Sequence, residues 1–154
     1  MKKLSILIFN FVLLVSYIKT SAQVDVSYEI KADLNLLDEI VEISQIIRYK
    51  NIRTEKSNEL YLYDWSNSYK DTETPLSNRL AEEYNRSFYL SSKSKRGFTK
   101  IAKISKENVN LVWLREKNNP DIIKLFLPEY ITNNEIVEIH LNYSIKLHKN
   151  LFFY

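Results

Sequence analysis

The sequence predicts an all-β fold, an antiparallel β-sandwich or a saddle-shaped sheet with one short amphipathic helix. Three observations lead there. Several segments alternate apolar and polar residues, the period of two that puts one face of a strand against a core. Tyr 11, Phe 7 and Trp 2 are heavy for 154 residues and suit pleated surfaces. One segment alone carries apolar residues every four positions behind a helix-starting signal.

Taken in order, residues 1–22 have the layout of a cleavable secretory signal. Lys2 and Lys3 form a basic start, an apolar run reaches Ile18, and Thr20-Ser21-Ala22 supplies small residues before Gln23. The apolar run is shorter than the ~20 residues needed to span a bilayer. The expected mature chain is therefore exported, periplasmic or extracellular, with no membrane attachment after cleavage. Residues 23–154 are expected to form a single β-rich domain, because their length suits one core.

In the first mature strand Val24, Val26, Tyr28, Ile30, Ala32 and Leu34 alternate with polar residues, predicting a strand buried on one face. A turn at Leu37-Asp38 leads to a second strand over 39–51. Residues 59–65 are aromatic on one side (Tyr61, Tyr63, Trp65) and carry Leu60 and Leu62 on the other. That pattern predicts a central strand between packed layers. Residues 66–73 read as polar loop. Thr74 then caps a helix with Pro75 in its first turn and Leu76, Leu80, Tyr84 and Phe88 along one side. Strands follow over 98–104, 109–116, 122–127 and 136–147, making seven in all. In the last, Val137, Ile139, Leu141, Tyr143, Ile145 and Leu147 point inward. With one Gly where average usage would give about ten, asparagines are expected at left-handed turn positions.

Charge excludes one class of partner. The 22 bases include Lys2, Lys3 and Lys19 of the signal, which contains no acid, so 19 bases face 19 acids afterwards. No basic field remains to hold nucleic acid, and Lys93, Lys95 and Arg96 read as a short solvated cluster.

The search for chemistry finds no catalytic, cofactor-binding or metal-binding residue to name. Cysteine is absent, which removes thiol catalysis, disulfides and lipoprotein acylation. The two histidines, His140 on the polar face of the last strand and His148 just past it, have no serine in a strained turn nearby. They also cannot by themselves make a zinc site. Glu82-Glu83 and Asp38-Glu39 are neighbouring exposed acids rather than a pair facing across a cleft. Asn85 and Asn142 begin glycosylation-type triplets. Tyr61, Tyr63 and Trp65 read as core or interface packing, with a sugar-stacking platform as the other use of such a stripe.

Three stretches carry a family resemblance: Tyr28-Glu-Ile-Lys-Ala-Asp-Leu, Ile46-Ile-Arg-Tyr-Lys-Asn, and Asn58-Glu-Leu-Tyr-Leu-Tyr-Asp-Trp-Ser-Asn. They are followed by Thr74-Pro-Leu-Ser-Asn-Arg-Leu, a Lys95-Arg-Gly-Phe turn and Leu127-Pro-Glu-Tyr-Ile-Thr-Asn-Asn-Glu. In this order they resemble the N-terminal β-domain of aminopeptidase N-like zinc metallopeptidases (gluzincins), in their exported bacterial branch. The resemblance spans residues 24–154. This chain lacks the family's Pro-Gly before the last strand, so Asn133-Asn134 must build that turn.

The resemblance implies a non-catalytic domain that packs against a catalytic domain of the same polypeptide. The family's zinc ligands lie in an H-E-x-x-H motif of that following domain, and no such motif occurs here. Zinc is therefore expected only downstream, and the parent's activity would be that of a metallo-aminopeptidase. The final Leu151-Phe152-Phe153-Tyr154 is apolar, leading to the expectation that the natural protein continues. The other reading is a self-standing secreted β-sandwich that binds protein or glycan through its aromatic strand.

Overall fold

The computed structural model describes residues 25–84 and 86–148. The signal-like residues 1–22, Asn85 and the apolar residues 151–154 lie outside them. The fold is antiparallel β in two sheets with little helix, as the alternation predicts. The larger sheet runs β1 (Val26–Asn35), β2 (Ile40–Lys50), β8 (Ile136–Lys146), β4 (Phe98–Lys106) and β5 (Val109–Asn110). The smaller runs β3 (Ser57–Tyr63), β7 (Ile122–Ile131) and β6 (Val112–Arg115).

Short-range chemistry sets the turns. The Asn35 side chain accepts from the Leu37 and Asp38 amides (3.0 and 3.2 Å), and Glu39 takes a left-handed φ of 58° to start β2. Glu107 and Asn108 both have positive φ (50° and 70°) between the paired residues Lys106 and Val109. That is a two-residue turn whose twist matches its strands. Asparagine thus serves Asn108 and Asn134, but Glu39, Tyr84 and Glu107 also adopt positive φ. Asn133-Asn134 does form the turn into β8, held by the Asn134 amide on the Asn51 carbonyl (2.6 Å).

The core lies between the sheets. Leu125 is fully buried, and Val137, Ile139, Leu141, Ile47 and Ile104 face it from the larger sheet. One chain segment joins both layers. Residues 109–116, expected as one strand, divide at Leu111, which is buried and donates its amide to the Ile104 carbonyl (2.9 Å). β5 stays with β4, and β6 crosses to β7. β7 extends past the predicted Leu127 to Ile131. It bulges opposite β3 between Phe126 and Ile131, where Pro128 has no ladder bond to supply.

Four further expectations are corrected. β1 packs at the core only through Val26 and is otherwise exposed on both faces, with Tyr28, Ile30 and Leu34 more than half accessible, because the smaller sheet reaches only its first residues. β3 is an edge strand, and the face carrying Tyr61 and Tyr63 is exposed rather than packed under a second layer. The helix ends at Glu82, Tyr84 turns left-handed (φ 59°), and a separate turn of helix spans Arg86–Leu90. A spacing of four overshoots the 3.6-residue helical repeat by about 40° per step, so a straight helix would carry Phe88 about 120° away from Leu76. The break lets Phe88 bury completely while Tyr84 stays outside. Finally, residues 66–73 are not plain loop. A 3-10 helix, Trp65–Tyr69, buries Asn67 and Ser68.

Candidate functional site

The residues first singled out for chemistry stand apart. His140 sits on the outer face of β8, its Nε2 2.8 Å from Glu138 Oε1. His148 stacks flat on Tyr69, ring centres 4.7 Å apart. Glu83 pairs with Arg79 (3.0 Å), Asp38 accepts from Asn35 (2.7 Å), and Glu39 receives Lys146 Nζ at 3.3 Å. None of these acids faces another across a cleft. Among the described residues no group of three or more His, Asp or Glu could hold a metal ion. Asn142 lies exposed on β8.

Arg96 corrects the reading of a solvated basic cluster. It is buried, donates from Nη2 to the Ser91 carbonyl (2.9 Å), and lies 5.5 Å over the Phe88 ring. It anchors the short helix rather than offering charge to a ligand.

The feature with site-like geometry is a cleft of about 390 Å³ between the sheets. It is where they diverge. Along the inward positions of β8, Val137, Ile139 and Leu141 are buried and Tyr143 and Ile145 half-buried, and Leu147, just past the strand, is exposed. β2 shows the same gradient, from buried Ile47 to half-buried Ile43 and Val41. The cross-strand register aligns the two series, Ile47 with Ile139, Ile43 with Tyr143 and Val41 with Ile145. The smaller sheet covers only one half of the larger sheet's inner face.

A polar girder holds the sheets at this junction. Asp64, just past β3, accepts from Arg115 Nη2 of β6 (2.7 Å) and from the Thr99 hydroxyl of β4 (2.6 Å). Arg115 Nη1 and Asn67 Nδ2 both donate to the Pro120 carbonyl (2.8 and 2.7 Å). Each partner satisfies another in a partly dry site, where an unpaired group would be costly. Deeper in the cleft, Tyr143 donates its hydroxyl to Gln45 Oε1 (2.8 Å). Burial, and then the Asp64 charge, pushes the Tyr143 phenol above its ordinary value, so it remains a neutral donor. No nucleophile–base pair is assembled among these residues. The cleft offers apolar surface with a few fixed polar contacts.

A second apolar face lies outside the smaller sheet. Tyr61, Tyr63, Val112 and Leu114 are exposed around Lys124, which bonds Glu59 (2.9 Å) and lies 5.4 and 5.2 Å from the Tyr61 and Phe126 rings. The Lys124 contact holds the Glu59 carboxyl below the usual range, and Glu59 in turn raises Lys124. Trp65 is not part of this strand; it opens the 3-10 helix at the cleft mouth and is more than half exposed.

Sequence reasoning passed over Asn51, Asp64, Thr99 and Arg115. Buried Asn51 donates from Nδ2 to the Ile131 and Thr132 carbonyls (both 3.2 Å) and so staples the turn before β8. Each is a single polar residue in or beside a strand, and such positions carry no periodic signal.

Among the described residues no helix is long and apolar enough to cross a membrane. Compared with descriptions of known protein families and with curated proteins, the chain matches none.

Proposed function

We propose that this chain is the non-catalytic N-terminal β-domain of an exported aminopeptidase-like zinc metallopeptidase. In that reading the uncovered half of its larger sheet packs against a catalytic domain of the same polypeptide. The observation that carries it is the inner face running from Tyr143 and Ile43 to Ile145 and Leu34. That surface continues the hydrophobic core but is only partly covered among the described residues, Ile43, Tyr143 and Ile145 being half-buried and Leu34 exposed. Soluble proteins rarely leave a contiguous apolar face of this kind open, and such faces mark contact with another body. The ordered sequence words that resemble the aminopeptidase N-terminal domain supply the identity of that body. Binding, cleft-walling and packing are this domain's work; zinc and the reacting groups belong to the other.

The test is to read the gene beyond the Tyr154 codon and express the full product. An open frame reaching an H-E-x-x-H helix is the expected result. In that protein, Ile145→Glu is expected to weaken the domain contact and lower the unfolding midpoint of the whole. A stop codon at that point, with no such frame nearby, overturns the reading.

The second reading, a self-standing secreted β-sandwich that binds protein or glycan, draws on the exposure of Tyr61, Tyr63 and Trp65. A glycan array that detects binding, lost in Trp65→Ala with the fold intact, would favour it. An array without a hit would retire its glycan form.

A further inference from the structure

We propose that β1 is a self-association edge, to which a second copy of this chain adds its own β1 in antiparallel register centred on Ile30. β1 is the outermost strand of the larger sheet, and among the described residues nothing pairs with its other edge. Its ladder with β2 runs ten residues without a bulge, and it contains neither Pro nor Gly. Natural edge strands are usually kept short, bent or interrupted to prevent pairing. This one is long and regular.

The backbone groups at that edge can be assigned. The Lys50 amide donates to the Asp25 carbonyl at 2.7 Å, just ahead of the continuous ladder. Odd-numbered residues of β1 therefore turn their amides and carbonyls to β2, and even-numbered ones turn theirs outward. Val26, Tyr28, Ile30, Ala32 and Leu34 thus present a full row of donors and acceptors to an incoming strand.

Charge selects both the occupant and the register. Centring two copies on Ile30 sets Glu29 opposite the second copy's Lys31, twice by symmetry, and overlaps the strand from Val26 to Leu34. Centring on Lys31 instead opposes Lys31 to itself and Glu29 to Asp33. Centring on Ala32 leaves Val26 and Tyr28 without strand partners. Of the registers that overlap nine residues of β1, those centred on Ile30 and Lys31, only the first opposes unlike charges. The edge is separate from the inner face, so this inference does not depend on the proposed domain packing.

A strand edge is smaller than a standard interface of roughly 1,200–2,000 Å², so the pairing is weak and a covalent trap is the suitable readout. The chain has no cysteine, so an introduced thiol is unique. With Ile30→Cys the two thiols straddle the symmetry axis, with Cα atoms about 5.5 Å apart, inside the bridging range of roughly 4.4–6.8 Å. Mild oxidation of the purified full chain is expected to give a disulfide-linked dimer. With Tyr28→Cys the two sites lie on the order of 14 Å apart, and the chain is expected to stay monomeric. Both side chains are exposed, so neither change disturbs the core, and circular dichroism checks this. Lys31→Glu added to Ile30→Cys is expected to slow trapping at least about fivefold by opposing Glu29. Exchanging the charges with Glu29→Lys as well gives up the 3.8 Å Arg48–Glu29 contact but is expected to restore trapping; Arg48 keeps its 2.6 Å contact with Glu138. No dimer at position 30, equal trapping at positions 28 and 30, or indifference to Lys31→Glu would each overturn the proposal.

Discussion

Removing the Asp64 carboxylate tests whether the girder sets the junction of the two sheets. Asp64 is the common acceptor for Arg115 and Thr99, and its side chain is 9% exposed against 20% for Arg115. Asp64→Ala leaves the guanidinium with only the Pro120 carbonyl and leaves the Thr99 hydroxyl without its acceptor. Breaking a fully buried ion pair from one side costs roughly 3–5 kcal/mol. Water reaching the partly accessible Arg115 reduces this to about 2–3 kcal/mol. With a urea m-value of about 1–3 kcal/mol/M, the midpoint is expected to fall by about 0.7–3 M. Removing both charges in Asp64→Ala with Arg115→Met leaves no buried charge stranded, so the double variant is expected to lose well under the sum of the Asp64→Ala and Arg115→Met losses. Urea unfolding of the four proteins closes the cycle. A loss under about 0.5 kcal/mol for Asp64→Ala, or single-variant losses that simply add, would refute the account.

Two more outcomes follow from local geometry. At Gly97 an added Cβ would lie 2.9 Å from the Lys146 carbonyl oxygen and 3.3 Å from the His148 amide nitrogen, all backbone. Gly97→Ala is therefore expected to destabilise by about 1–3 kcal/mol, read as a lower unfolding midpoint, and an unchanged midpoint would sink that reading. Hydrogen bonds lower the carboxyls of Glu59 (from Lys124), Glu135 (from Thr132) and Glu138 (from His140, then Arg48). Their folded values lie below the unfolded ones, so their stabilisation is complete above the ordinary carboxylate range and is lost as pH falls through the depressed values. Stability followed from pH ~6 down to ~2 should decline below about 4.5, less steeply in Glu138→Gln; an acid limb unchanged by that substitution would contradict the sign.

The strands, their order and the turns between most of them were legible in the sequence, because period-two alternation is a local property. Tyr143, Ile145 and Leu141 share a face whatever else the chain does. Whether that face is covered is not local. The same alternation occurs in β8, whose Ile139 is buried, and in β1, whose Ile30 lies more than half exposed. Only the placement of the smaller sheet separates them. The crossing at Leu111 is likewise tertiary, since a run of strand-forming residues does not state which sheet each part will join. The helix break at Tyr84 belongs to the same class: the residues specify helix, and the demand to bury Phe88 decides where it stops.

An all-β chain, the absence of cysteine chemistry and of an H-E-x-x-H motif, and the even charge balance of residues 23–154 could all be read before any fold was known. These follow from composition and pattern and need no coordinates. Packing settled that β1 and β3 are edges, that half of the larger sheet's inner face is only partly covered among the described residues, and that Asp64, Thr99 and Arg115 meet. Thr99 and Arg115 lie 35 and 51 positions from Asp64. Contacts at such separations are made when the sheets pack, and the energy that selects them is the burial of both layers together.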